Sequence, residues 1–191
     1  MATALELFGS RGYGAVGVAE LAAHAGVQKG SFYHFFPSKE ALALAVIDEH
    51  WAAQRADWAA ALAGSGTGAE TFIARLRGVF DYTARYQSSA LRGSGSVTGC
   101  LFGNLAIEAS STESAMRDRL QAIFEEQVDM IAGHLQGAVD AGEVELDDVR
   151  AAAKGIVAQL EGLILFAKLF NDPAQLDLLW GNARSLLGVA A

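Results

Sequence analysis

The chain has 191 residues, 52% of them hydrophobic, and carries 14 basic against 22 acidic side chains for a net charge of −8. That length holds a small unit plus one larger helical domain, and the apolar content excludes a disordered chain. The acidic balance excludes a general nucleic-acid coat or an anionic-membrane binder, both of which need an extended positive surface, but leaves room for specific binding by a minority of the surface.

Only two prolines, Pro37 and Pro173, occur, and no run of alternating β-branched residues, so the expected architecture is all-α with about nine helices. Val18, Leu21, Ala22 and Ala25 repeat at helical spacing, and Gly26 can take the positive φ at which that helix must stop. Val27, Phe32 and Phe36 continue the apolar set. Gln28, Lys29, Gly30 and Ser31 open the second helix, and Gln28, Lys29, Ser31, Tyr33 and His34 are left to point outward. Two short helices meeting at a glycine turn are the layout of a DNA-reading helix-turn-helix, and the outward groups are donors and acceptors suited to phosphates and base edges.

Ser38 caps a long helix from Lys39 to about Leu62, with Trp51 and Trp58 on one face, and Gly64, Ser65 and Gly66 end it. Thr67 with Glu70 reads as a capping box for a helix over about 68–88. A flexible Ser/Gly-rich loop, Ser88 to Gly99, carries Arg92 and leads to a short apolar helix from Cys100 to about Ala109. Ser110 with Glu113 is a second capping box, before a helix over about 113–141. Asp147 or Asp148 begins a helix to Phe170, and Pro173 starts the last one, to about Leu187. The most apolar run, Ile156 to Phe170, is broken by Gln159, Glu161 and Lys168 and is too short and polar to span a bilayer. No signal peptide is visible, and one cysteine rules out an intrachain disulfide, which fits a cytoplasmic chain.

The helix from Asp148 to Phe170 is apolar nearly all round, so two faces must be covered. Gly155, Gln159, Gly162 and Phe166 form a second face whose small residues permit close approach of another helix. A homodimer built from this helix and the last one is expected; the alternative is a central helix buried inside one monomer.

In order, the chain carries an LF pair (Leu7, Phe8), a GY pair (Gly12, Tyr13), an LA pair (Leu21, Ala22), AGV (Ala25 to Val27), KGSFYHFF (Lys29 to Phe36) and SKEAL (Ser38 to Leu42). With these its first quarter closely resembles the DNA-binding domain of the TetR family of one-component transcriptional regulators. The resemblance implies a homodimer with a four-helix interface, a double-stranded palindromic DNA operator, and an effector that acts on the C-terminal domain. It divides the chain into a helix-turn-helix domain, 1–45, and an effector-binding and dimerisation domain, 46–191. Lys29, Tyr33, His34 and Lys39 would hold phosphates, Gln28 and Ser31 would reach base edges, and Phe32 and Phe36 would pack.

The chain departs from the family in three ways. The family usually has a basic arm and a longer first helix ahead of the LF pair, so the first helix is expected to be truncated. At the start of the second helix, where the family favours hydroxyl residues, stand Val16 and Gly17. Residues 1–50 carry Arg11, Lys29 and Lys39 against Glu6, Glu20, Glu40, Asp48 and Glu49, three positive charges and five negative, or −2. Phosphate attraction must come from a few placed groups and helix N-termini.

Cys100 stands at a helix start, where backbone N–H groups and the helix dipole can lower a thiol pKa. A reactive thiolate and a small buried hydrophobe are both open readings. The GCL motif, GSFYH in the recognition helix and the Ala167–Lys168 pair resemble the branch of the family that contains the electrophile- and oxidant-responsive repressor of N-ethylmaleimide reductase. A sensor thiol needs a cation, for which Lys168 is the more pointed candidate and Arg92 a second. Asn104 and Glu108 share a face with Cys100; either they fix the helix by internal hydrogen bonds or they meet a ligand in a cavity lined by Trp58, Phe80, Phe102, Phe124 and Met130. His134 is either a polar pocket group or a surface residue. No metal-ligand spacing, phosphate loop or nucleophile elbow occurs, so no metal, no cofactor and no enzymatic activity are expected. The expected function is a repressor released from DNA by a small molecule, electrophile or oxidant; the alternative is a helical ligand-binding or enzymatic module that has lost DNA binding.

Overall fold

The computed structural model describes residues 1–64, 70–109 and 114–189, and every described element is helical. In chain order these are α1 (Ala2–Arg11), α2 (Val18–His24), α3 (Lys29–Phe35), α4 (Lys39–Ala63), α5 (Phe72–Ser94), α6 (Leu101–Glu108), α7 (Ser114–Asp140), α8 (Val149–Phe170), a 3-10 turn (Pro173–Asp177) and α9 (Leu178–Leu186). The expected all-α architecture of nine helices is what the described residues form.

The chain clusters into two compact units: Met1–Ala53 with Cys100–Ile123, and Gln54–Gly99 with Phe124–Ala191. In the first, Phe8, Val16, Ile47, Phe102, Leu105 and Met116 are fully buried, and burial of each large side chain contributes about 1.5–3 kcal/mol. Phe8 and Tyr13 pack ring to ring at 5.5 Å, as Trp51 and Phe102 do at 6.0 Å. In the second unit the core is Trp58, Leu76, Ile131, Leu135, Ile156, Leu160 and Leu179.

Local chemistry sets the helix ends. Ser38 Oγ accepts the Ala41 N–H at 3.0 Å, as expected for the cap of α4. Asp148 accepts from Ala151 at 2.9 Å at the start of α8, and Asn171, at φ 51, closes it. Thr71 Oγ1 caps α5 by accepting from Ala74 at 3.1 Å, and the Glu143 carboxylate accepts the Phe72 and Ile73 N–H groups at 2.9 and 3.0 Å. Of the two capping boxes expected, Thr67, Ser110 and Glu113 lie outside the described residues.

Three expectations about the elements are corrected. α5 runs from Phe72 to Ser94 rather than over 68–88, so Arg92 lies in its last turn and the loop shrinks to the segment that begins at Gly95. Two polar clamps hold that segment. The buried Gln87 amide donates to Gly99 O at 3.0 Å and accepts from Gly99 N at 3.1 Å, and Asn171 accepts from Val97 N at 2.8 Å while donating to Gly95 O at 3.2 Å. Its Ser and Gly composition predicts flexibility; one amide 12 residues back and one beyond α8 hold it instead. Lastly, Pro173 opens a 3-10 turn before α9, with Asp172 capping it through Ala174 N at 3.0 Å.

Candidate functional site

Gly26, at φ 69, makes the turn between α2 and α3, and Leu21, Ala22 and Phe32 are buried beneath it. Val27, expected to join this core, is instead 42% exposed, because it precedes α3 on the open side of the turn. Gln28 is the N-cap residue of α3 without a side-chain capping bond. Gln28, Lys29, Gly30, Ser31, Tyr33 and His34 are all exposed, and Gly30 has open space where a Cβ would stand. Among the described contacts none of these six residues gives or takes a side-chain hydrogen bond, so the face is chemically unspent. Phe35, at 68% exposure, flanks it, an aromatic that the apolar spacing does not mark.

Of the three basic residues in the first fifty, only Lys29 shares that face. Arg11 pairs with Glu20, tying the end of α1 to α2. Lys39 donates to Tyr13 O at 2.9 Å and Val16 O at 3.2 Å, with its ammonium 3.9 Å from the Tyr13 ring centroid. Two of the three Lys39 donors are thus held by carbonyls of the α1–α2 turn, which gives the ammonium a structural place and leaves one donor for the phosphate expected there. Gly17 is the N-cap of α2 and offers no side-chain oxygen, so any anion there would meet backbone N–H groups alone.

The residues expected on the effector side divide between the two units. Cys100, Phe102, Asn104 and Glu108 belong to the first, and Trp58, Phe124 and Lys168 to the second. Cys100 is a half-buried free cysteine and the N-cap residue of α6, its Sγ accepting the Gly103 N–H at 3.5 Å. Phe102 is buried, with its ring 5.4 Å from His50, and burial pushes His50 below its usual pKa. Asn104 donates its backbone N–H to Cys100 O at 2.9 Å. The Glu108 carboxylate accepts the Gly14 N–H at 2.7 Å, a bond to another element rather than one within α6. Trp58 is buried and Phe124 half-buried. Lys168, half-buried in the last turn of α8, accepts at its carbonyl the Asn171 N–H at 3.2 Å.

His134 is buried, with Nε2 2.6 Å from Phe72 O. Burial lowers its pKa first and most, against a raising hydrogen bond to Phe72. It is neither a surface residue nor a free pocket group. Gln127 was missed altogether: it is 1% exposed, and neither its Nε2 nor its Oε1 has a hydrogen-bond partner. The signal was in the sequence, since Gln127 interrupts an apolar i, i+4 stripe between Ile123 and Ile131.

On α8, the four residues expected at a dimer face do not behave alike. A Cβ on Gly155 would stand 2.9 Å from Leu186 Cδ1, and Gln159 donates to Leu179 O at 2.9 Å, so both are engaged by α9 of the same chain. A Cβ on Gly162 would meet no neighbouring element within 4 Å, and Phe166 is 49% exposed. Leu165, Leu169, Phe170 and, on α9, Leu178 are exposed as well. Among the described residues no His, Cys, Asp and Glu group is placed to hold a metal ion, and no helix is long and apolar enough to cross a membrane.

Comparison with known proteins bears on both halves. The family model for bacterial regulatory proteins of the tetR family matches residues 1–46, and that for the tetracyclin repressor-like C-terminal domain matches residues 73–181. The transcriptional regulator AcuR of Cereibacter sphaeroides is 33% identical over 172 residues, 88% of this chain and 74% of that protein. The HTH-type transcriptional repressor NemR of Escherichia coli is 31% identical over 121 residues, 63% of this chain and 57% of that protein. The crystal structure of the reduced form of NemR superposes with a TM-score of 0.81 at 25% identity, covering 100% of this chain and 95% of that one.

Proposed function

This chain belongs to the TetR family of bacterial regulatory proteins, and on that footing we propose that it is a homodimeric repressor that holds a palindromic operator and leaves it when an electrophile, oxidant or small molecule acts on its C-terminal part. It works in the cytoplasm and catalyses nothing. Residues 1–45 serve as the DNA-binding part and 46–191 as the part for effector and dimer.

One observation carries the DNA reading: the outward face of α3 bears Gln28, Lys29, Ser31, Tyr33 and His34, exposed and, among the described contacts, with no side-chain hydrogen bonds to give up. A bound duplex therefore displaces only water. Gln28 can pair bidentately with adenine, Lys29 supplies a phosphate contact, and Gly30 lets the helix lie close to the DNA backbone. With a single exposed cation on that face, α-helix N-termini complete the phosphate grip.

On the effector side, Cys100 is the sensor. The Gly103 N–H aimed at its sulfur is a contact that an anionic sulfur takes up better than a neutral thiol. A maleimide adds there by forming a bond from sulfur to an alkene carbon, while the neighbouring carbon takes a proton. Hypochlorous acid oxidises the thiolate to a sulfenic acid, chloride leaving. Gln127 supports a second, reversible route. An unpaired buried amide costs about 1–3 kcal/mol, and a ligand offering both a donor and an acceptor would remove that cost.

Fluorescence anisotropy on the duplex that the parent selects from a randomised pool tests the reading, together with mass spectrometry of the Cys100 peptide. N-ethylmaleimide and hypochlorite should each release the parent and modify Cys100, and Cys100→Ser should bind normally and ignore both. A serine variant that responds like the parent makes the thiol structural and leaves the reversible ligand as the signal.

A further inference from the structure

Glu108 is the last residue of α6, the end at which a helix carries partial negative charge and a carboxylate is disfavoured by about 0.3–1 kcal/mol. Its partner lies 94 residues earlier: Oε2 accepts the Gly14 N–H at 2.7 Å. The turn is shaped to admit it. Gly12 stands at φ 85, where side chains are strained, and a Cβ there would fall inside the Glu108 carboxylate; one on Gly14 would stand 3.4 Å from Oε2. Lys39 of α4 holds the same turn through the carbonyls of Tyr13 and Val16. Gly17, the N-cap of α2, follows directly, and α2 packs on α3. All of these residues lie in the first compact unit.

We propose that Glu108 is a positioning residue for DNA binding: by holding the Gly14 amide it fixes the α1–α2 turn, and through it the set of α2 and α3, so that a displacement of α6 is felt at the recognition helix. A hydrogen bond to an ionised group is among the stronger contacts available to a turn, and it sits where an uncompensated carboxylate would be unfavourable. The inference deepens the repressor reading and rests on it for the consequence at DNA, while the bond itself can be tested without DNA.

Hydrogen exchange of the full chain, read by mass spectrometry on peptides spanning residues 9–20 and on peptides from α8, separates the cases. Glu108→Ala should raise exchange in the turn by about tenfold or more and leave α8 unchanged. Glu108→Gln, which keeps an acceptor oxygen, should restore most of the protection. On the duplex selected by the parent, Glu108→Ala should weaken binding about tenfold, with Glu108→Gln in between. Parent-like exchange in Glu108→Ala, an equal rise in every peptide, or a loosened turn with unchanged affinity would each overturn the positioning role. Failure of the parent to select any duplex would overturn the DNA-binding reading, and the consequence drawn from it, whatever the exchange shows.

Discussion

Two helices of this chain turn an uncovered face outward, and the two faces differ in kind. That of α3 is Gln28, Lys29, Ser31, Tyr33 and His34; that of α8 is Leu165, Phe166, Leu169 and Phe170 around the open Gly162. Donors and acceptors rest comfortably in water, so the first face gains only from a surface as polar as phosphates and base edges. Apolar surface in water carries a standing cost of about 25 cal/mol per Å², which a second copy of the same face relieves symmetrically. Exposure is common to both; the chemistry of the exposed groups says what each face needs.

The largest expected effect comes from making the second face resemble the first. Phe166→Asp with Leu169→Asp should leave the chain monomeric by sedimentation equilibrium at micromolar concentration and, on the proposed palindromic operator, weaken binding about 100-fold or more, since half-sites roughly 34 Å apart would need linked subunits. A double variant that stays dimeric with parental affinity would sink the comparison. Gln28→Ala, on the first face, should leave the dimer intact and lower discrimination at one base position by about 1–3 kcal/mol; an unchanged consensus in binding-site selection would remove it from the readers.

A change that touches neither face sharpens the contrast. Burial holds His134 below its usual pKa, so the unfolded chain takes up a proton near pH 6.5 while the folded chain resists it. The stability concerned is present above that value and is lost as pH falls toward the folded pKa, at no more than about 1.4 kcal/mol per pH unit. Urea midpoints at pH 7 and 5.5 should converge in His134→Gln relative to the parent, with dimerisation and DNA selection untouched; His50, lowered for the same reason, should keep part of the slope. The smallest effect is expected for Lys29→Ala: a loss of about 1 kcal/mol on every duplex alike, and a salt slope shallower by roughly 0.9. Loss confined to one base position would make Lys29 a reader instead.

What the sequence made legible was local. Gly26 at the α2–α3 turn, Ser38 as a cap, the buried Trp51 and Trp58 and the polar face of α3 follow from spacing and turn chemistry within a few residues. What it hid was pairwise and distant. Lys39 reads as a helix-start cation for phosphate, and only the carbonyls of Tyr13 and Val16 reveal that two of its donors are held. Glu108 reads either as a group that fixes its own helix or as one that meets a ligand, and only the distant Gly14 N–H shows what its carboxylate holds. On α8 the small-residue stripe was visible, yet Gly155 and Gln159 are taken up by α9 while Gly162 is left open, a division that no periodicity encodes.

The clamped segment ahead of Cys100 bears on how a chemical event there would be transmitted. A slack tether absorbs a bulky substituent by rearranging itself, at a few tenths of a kcal/mol, and passes nothing on. Here Gln87 grips Gly99 through both its N–H and its carbonyl, and Asn171 grips Gly95 and Val97, so the approach to the thiol has little compliance.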